Sequence, residues 1–405
     1  MNSLIALPPK PLRTNLRSEW MLEDRIVFLN HGSFGAVPRV VFEKQTEWRR
    51  RIEAEPIELL GRRATELIGV AKKPVGAWLG MGVDDFGFVT NATDGVNAVL
   101  QSLRLNAGDE LLTTTHVYNA VWQAMRNVAG RTGATCREID LPLPLVSTDQ
   151  LVETVASALS TNTRLLVIDH VTSPTALIFP VERITAICAA RGIDVLVDGA
   201  HVPGMLPLNV PKIGATYYTG NLHKWTCAPK GCAFLWVRPD RQSQVHPTTV
   251  SHFWGEGFAR EFGWQGTRDI SAWLTIPAAL EFMNDLGWDQ VRVHNHQLAV
   301  WVQKMLCDRW NVQPLSPIDG SMIGSMATLP LPAPLDRLSL SQSVQLQQRL
   351  YSEHQIEVPV MCWRGQAFIR PCCQVYNLPG EYERLAEVIE REARSENSDP
   401  AATPS

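Results

Sequence analysis

Leu165-Leu166-Val167-Ile168-Asp169-His170, a helix-like stretch over 181–191, and Ile193-Asp194-Val195-Leu196-Val197-Asp198-Gly199-Ala200-His201 decide the fold of this chain. The first and last pieces are short apolar runs closed by an aspartate, which is how a strand buried on both faces reads. Between them, residues 181–191 carry apolar side chains at helical spacing and stop at Gly192. Strand, helix and strand within about 35 residues form a βαβ unit, so the sheet is parallel and the crossover right-handed.

The same alternation extends outward. Phe88-Val89-Thr90 leads into Asn91-Ala92-Thr93-Asp94-Gly95 and an amphipathic helix through Leu103. A strand is predicted over 110–114 and a helix over 119–131, with further strands over 217–219 and 233–237 around the segment that holds Lys224. From Trp288 the pattern changes to a long helix reaching Trp310, a Pro-rich linkage, a helix over 341–354, short strands over 356–360 and 367–370, and a helix from Pro379. This organisation divides the chain into an N-terminal arm (1–25), a large α/β domain (26–285), a smaller α+β domain (286–395) and a flexible tail (396–405).

Composition narrows the function classes. The 405 residues carry 37 Lys+Arg against 41 Asp+Glu, a net charge of -4, so no electrostatic footprint for nucleic acid or an anionic membrane is expected. No apolar run is long enough to span a bilayer, and Pro8, Pro9 and Pro11 break up any signal-like N-terminal segment. The eight cysteines are scattered without zinc spacing, so no metal site is expected and a reducing cytoplasm is the economical location. Thirteen tryptophans are the one unusual count. Trp225, Trp254, Trp264 and Trp363 fall near the candidate site residues and predict an aromatic wall in a cleft between subunits, whereas Trp78, Trp301 and Trp310 read as helix-face core.

In open parallel sheets, ligands bind where the strands end, and three polar clusters fall there. Asn91 to Gly95 opens a helix whose first amides favour an anion such as phosphate, although Thr93 and Asp94 would also cap that helix without any ligand. Asp198 closes an apolar strand, where a buried carboxylate needs a cation, such as a protonated ring nitrogen, or several loop amides. Thr219-Gly220-Asn221-Leu222-His223-Lys224-Trp225 places a lysine between apolar neighbours. Poor solvation lowers a lysine pKa and frees its amine for Schiff-base formation. An aspartate and a lysine, each closing a strand, make a more specific pattern than either alone.

Asp198-Gly199-Ala200-His201 followed by His223-Lys224-Trp225, with Ala228-Pro229-Lys230-Gly231 behind it, resembles the class V aminotransferase superfamily of pyridoxal-phosphate (PLP) enzymes. The opening Leu29-Asn30-His31-Gly32-Ser33-Phe34-Gly35 and Gly266-Thr267-Arg268-Asp269-Ile270 are similar to its isopenicillin N epimerase-like branch. The resemblance implies fold type I: a mostly parallel central sheet with helices on both faces and a smaller α+β C-terminal domain. It implies that Lys224 carries the cofactor, Asp198 meets the pyridinium nitrogen, and His201 and Ser173 contact the ring hydroxyl. Ala92, Thr93, Asn221, His223 and Thr267 are implied at the phosphate, Tyr118 over the ring, and Arg370 on the substrate α-carboxylate, with Asn30 and His31 also at the substrate. Because the Thr267 equivalent comes from the other subunit in that family, a homodimer with shared active sites is implied.

The implied chemistry begins with Cα-proton abstraction by Lys224 from an amino-acid substrate. Epimerisation is the first expectation, with Tyr118, His116 and His31 as candidates for the opposite-face acid. C–S lyase chemistry is the alternative, followed by transamination and cysteine desulfuration; a non-enzymatic PLP scaffold comes last. A desulfurase would need a cysteine on a mobile loop, and Cys362, in Val360-Met361-Cys362-Trp363-Arg364, reads as structural, as do the adjacent Cys372 and Cys373.

Overall fold

The computed structural model describes residues 7–398. Strand β1 is Val27–Phe28. A seven-stranded sheet follows, built from β2 (Phe86–Val89), β3 (Glu110–Thr114), β4 (Thr135–Ile139), β5 (Thr163–Asp169), β6 (Asp194–Asp198), β7 (Tyr217–Asn221) and β8 (Ala233–Val237). Its spatial order is β2-β8-β7-β6-β5-β3-β4. Only β8 runs against its neighbours, so the sheet is mostly parallel. The C-terminal part adds β9 (Leu329–Pro330), β10 (Ile356–Glu357), β11 (Val360–Trp363) and β12 (Gln366–Ile369).

The period-2 geometry of a strand explains why these strands are apolar throughout. Along β5, Leu166 and Ile168 join the core beneath the helices Ala64–Leu79, Thr148–Ala158, Val181–Ala190 and Ser271–Leu286. Leu165 and Val167 point the other way, to a second core under Ala92–Ser102 and Asn119–Thr132. The same split separates Phe234 and Trp236 from Ala233, Leu235 and Val237 on β8. Three layers therefore bury the sheet on both faces, the fold type I arrangement that the resemblance implies.

The C-terminal part has its own core, in which Leu298, Val302 and Leu306 of the helix Trp288–Trp310 meet Leu346, Leu350, Leu385 and Ile389. The N-terminal segment joins it. β1 pairs in parallel with β10, and Leu29 lies in the C-terminal core. Of the arm expected over 1–25, residues 1–6 lie outside the described residues; Trp20 is buried edge-on against Phe282 and Tyr376. The tail expected over 396–405 is corrected at its start, because the closing helix Pro379–Ser398 carries residues 396–398; the remainder lies outside the described residues.

Because β2, β3, β5, β6 and β7 are mutually parallel through the sheet, their carboxyl ends share one edge. Thr90, Thr115, Asp169, Asp198 and Asn221 stand at or just beyond those ends. The topology thus gathers clusters separated by more than a hundred residues in sequence.

Candidate active site

A cavity of about 440 Å³ opens at that edge, lined among others by Asn91, Ala92, Thr93, Tyr118, Ser173, Asp198, His201, Asn221, His223, Lys224 and Arg370. The Lys224 side chain is buried, with Nζ 3.1 Å from His201 Nε2. Burial, and then the Arg370 charge, pull its pKa down to about 7, although Asp198 opposes the shift. A buried amine that releases its proton near neutral pH is a ready nucleophile and base. His201 is held neutral, its pKa driven well below the usual value by burial and by Lys224, and its Nδ1 is buried without a hydrogen-bond partner.

Asp198 accepts from the Ala200 backbone N–H at 2.9 Å, and burial raises its pKa. It stands in register with Asp169 on the next strand, which also lines the cavity. Burial and the neighbouring Asp198 raise Asp169 well above the carboxylate range, and its Oδ2 has no partner. Sequence reasoning assigned no role to Asp169. Its signal was the same as that of Asp198, an apolar strand closed by an aspartate.

At the helix that starts with Ala92, the structure corrects the expected cap. Asn91, not Thr93 or Asp94, is the N-cap, its side chain accepting from Asp94 N at 2.9 Å. Asp94 instead accepts from Thr90 N, Thr90 Oγ1 and Thr248 Oγ1. Asn221 Oδ1 takes the Ala92 N–H at 2.8 Å and so anchors the helix start to β7. His223 donates Nδ1–H to the Cys232 carbonyl at 3.0 Å, and burial lowers its pKa to about 4.

Arg370, just beyond β12, is 4% exposed. Its Nη1 donates to the Ser173 carbonyl and, at 3.3 Å, to Ser173 Oγ. Ser173, expected at a ring hydroxyl, therefore orients the arginine. Asn30 and His31, expected at the substrate, do not line the cavity. Asn30 donates to Glu357 and accepts from Ser33, while His31 is fully buried with both ring nitrogens engaged. The cavity contacts of this segment are Gly32, Ser33 and Phe34 instead.

Thr267 opens onto a separate hollow that shares Thr90, Lys230 and Gly231 with the Lys224 cavity. No tryptophan lines the cavity; its aromatic lining is Phe34 and Tyr118, 72% and 47% exposed. Trp225 packs beneath His31, Trp254 against His246 and Trp363 against His116. Cys362 sits within β11 and also does not line the cavity.

Gly35 lets the N-terminal segment lie directly on the lysine backbone. Its φ is +70°, and a Cβ there would meet the His223 carbonyl oxygen at 2.0 Å and Lys224 Cα at 3.1 Å. Gly35→Ala is expected to destabilise the protein by about 2–4 kcal/mol through left-handed strain plus this overlap. Thermal unfolding of the unloaded protein measures it.

Comparison with known proteins adds to this geometry. The chain is 32% identical over 404 residues to a putative L-cysteine desulfhydrase 1 of Oryza sativa subsp. japonica, covering 91% of this chain and 83% of the relative. It is equally 32% identical over 393 residues to an isopenicillin N epimerase of Amycolatopsis lactamdurans, covering 93% and 97%. A C-DES mutant structure, described as having glycine covalently linked to its PLP cofactor, superposes with a TM-score of 0.78 at 22% identity, covering 90% of this chain and 96% of that one. The family profile described as Aminotransferase class-V matches residues 27–330, from β1 through β9, and so takes in every central-sheet strand end at the cavity, while Arg370 lies beyond it. On that match and on these relatives, the chain belongs to the class-V aminotransferase family.

Proposed function

We propose that this chain is a PLP-dependent enzyme that removes the Cα proton of an amino acid, with epimerisation as the first reading and C–S bond cleavage as the second. The observation that carries the proposal is the buried Lys224 amine, which shares one cavity with Asp198, His201 and Arg370 and releases its proton near pH 7. The cavity suits the cofactor on its own chemistry. Asp169 and His201 line the cavity, and Asp169 Oδ2 and His201 Nδ1 are buried without partners.

When bound, PLP supplies an aldehyde that captures a primary amine and a ring that takes up the electron pair left at Cα. Lys224 would hold it covalently and Asp198 would face its ring nitrogen. Ala92, Thr93, Asn221 and His223 would surround the phosphate, with Tyr118 and His201 at the ring. Freed when the substrate's own amine takes its place, Lys224 Nζ would accept the Cα proton, while Arg370 would hold the α-carboxylate and fix which Cα bond faces Nζ. We further propose that the cofactor sits on the large domain (26–285) and that the carboxylate arginine comes from the small one (286–395). The working form is a homodimer in which one copy's Thr267 reaches the other copy's cavity. Eight unpaired cysteines favour the cytoplasm.

Epimerisation needs a second proton carrier. Of Tyr118, His116 and His31, only Tyr118 lines the cavity; the other two are fully buried. The C–S lyase reading is supported by the desulfhydrase relative and needs one base alone. Incubating the PLP-loaded protein with amino acids in deuterated water separates the two readings. Deuterium at an inverted Cα supports epimerisation; pyruvate and sulfide from a cysteine-type substrate support the lyase. For an epimerase, Tyr118→Phe is expected to lower inversion by about 10²-fold or more, whereas β-elimination by a lyase would persist in the same variant. A protein that takes up no added PLP refutes both readings.

A further inference from the structure

The Leu29 to Gly35 segment has no direct role in the proposed chemistry, yet it reaches the reactive lysine from behind. His31 Nε2 lies 3.0 Å from the Lys224 carbonyl oxygen, and His31 Nδ1 lies 2.8 Å from the Tyr376 hydroxyl. The imidazole is fully buried, packed 4.9 Å from the Trp225 ring, and burial holds it neutral with a pKa of about 3. A neutral imidazole has one N–H. A lone pair on Nε2 would face the carbonyl oxygen as two acceptors in contact, so the hydrogen sits on Nε2. Nδ1 then accepts from Tyr376, whose hydroxyl fixes the tautomer. Gln374 Nε2 also comes within 3.3 Å of Nε2 and donates to Cys227 Sγ at 4.0 Å. The Gln374 oxygen is taken by Asn295 and the Val375 N–H.

The contacts of His31 span distant parts of the chain. It follows β1, which pairs with β10; Lys224 follows β7; Tyr376 and Gln374 lie between β12 and the closing helix. On the cavity side, Lys230 Nζ donates to the Gly35 carbonyl at 3.0 Å, tying the same segment to the lysine loop a second time. Cys227 N also donates to the Lys224 carbonyl, and Cys227 holds a left-handed φ of 60°. The loop that carries the lysine is therefore strained, and the Lys224 peptide is gripped from two sides.

We infer that His31 is a positioning residue that fixes the Lys224 backbone through its Nε2–H, with Tyr376 selecting the tautomer that allows it. This rests on the reading of Lys224 as the cofactor lysine. The inference assigns His31 to the lysine rather than to the substrate, and it makes the N-terminal segment and the residues after β12 partners in aiming the amine.

The test uses two amides of different reach. In His31→Gln the amide nitrogen can stand at the level of Nε2 and keep the donor to Lys224. In His31→Asn the amide reaches only the level of Nδ1, so that donor is lost. Tyr376→Phe keeps the ring but releases the tautomer, and it carries the test if His31→Asn fails to fold. The readouts are the rate at which added PLP attaches to the unloaded protein, followed by stopped-flow absorbance, and the visible circular dichroism per attached cofactor. His31→Asn is expected to attach PLP about tenfold more slowly, the effect of one buried hydrogen bond, with altered dichroism. Tyr376→Phe should change in the same direction, and His31→Gln should stay close to wild type. Wild-type rate and dichroism in both His31→Asn and Tyr376→Phe would overturn the inference, as would equal impairment of His31→Gln and His31→Asn. If the wild type itself attaches no PLP, the cofactor reading fails and this inference fails with it.

Discussion

Lys224→Ala is expected to abolish covalent attachment of PLP and to lower turnover by roughly 10²–10⁴-fold from the lost proton transfer alone. In the proposed reaction the lysine supplies both the amine that carries the cofactor and the base that takes the Cα proton, and no other lysine in the cavity can replace it. Lys230 also lines the cavity, but its Nζ is committed to the Gly35 carbonyl. Absorbance in the visible after PLP addition reads the first loss, and deuterium exchange at Cα the second. Retained attachment would refute the assignment. The same side chain makes a separate prediction for the unloaded protein. An unfolded chain binds a proton on lysine up to about pH 10.4, whereas the folded chain releases it near 7. Between those values the unfolded state holds more protons, so stability rises as pH increases from 7 toward 10. Lys224→Met, which keeps the volume and removes the titration, is expected to flatten that rise. Urea midpoints measured across the same pH window check it.

Asp198 was legible because burial on both faces writes strands as continuous apolar runs, so a charged residue closing such a run marks itself; Lys224, three residues beyond β7, was marked by its apolar neighbours Leu222 and Trp225. The same signal marks Asp169, whose place beside Asp198 follows from the in-register pairing of β5 with β6. The edge strand β4 (Thr-Cys-Arg-Glu-Ile) is half-exposed and carries two charges, so it offers no apolar run to read. The reversed direction of β8 is set by its pairing with β2 and β7, not by its composition. His31 was placed in the site by its motif, but its function depends on a partner 193 residues away and on Tyr376, which no local pattern joins to it. The tryptophan count had a similar limit: it registered many tryptophans, while packing sent Trp225 beneath His31 and left the cavity without a tryptophan.

Arg370→Ala is expected to lower kcat/KM by roughly 10²–10³-fold, the loss that follows removal of one partner from a buried ion pair. The guanidinium is 4% exposed, its Nε has no partner, and its firm contacts are to the Ser173 carbonyl and hydroxyl. Among the described residues it forms no ion pair with a carboxylate, so its charge stays uncompensated until an anion arrives, and an amino-acid carboxylate fits its fork. The arginine also acts on the lysine. After burial, it is the largest cause of the low Lys224 pKa, with Asp198, Cys372 and Asp169 opposing it. Removing the charge therefore lets the amine hold its proton to higher pH. PLP attachment, which needs the free amine, should shift its midpoint upward in Arg370→Ala. Arg370→Lys separates the two effects, because it keeps a positive charge near the amine while losing bidentate contact. It should raise KM for an amino-acid substrate yet leave the pH midpoint of attachment near wild type. An unchanged midpoint in Arg370→Ala would show that Arg370 does not set the lysine's basicity, and an unchanged KM in both variants would remove it from the carboxylate site.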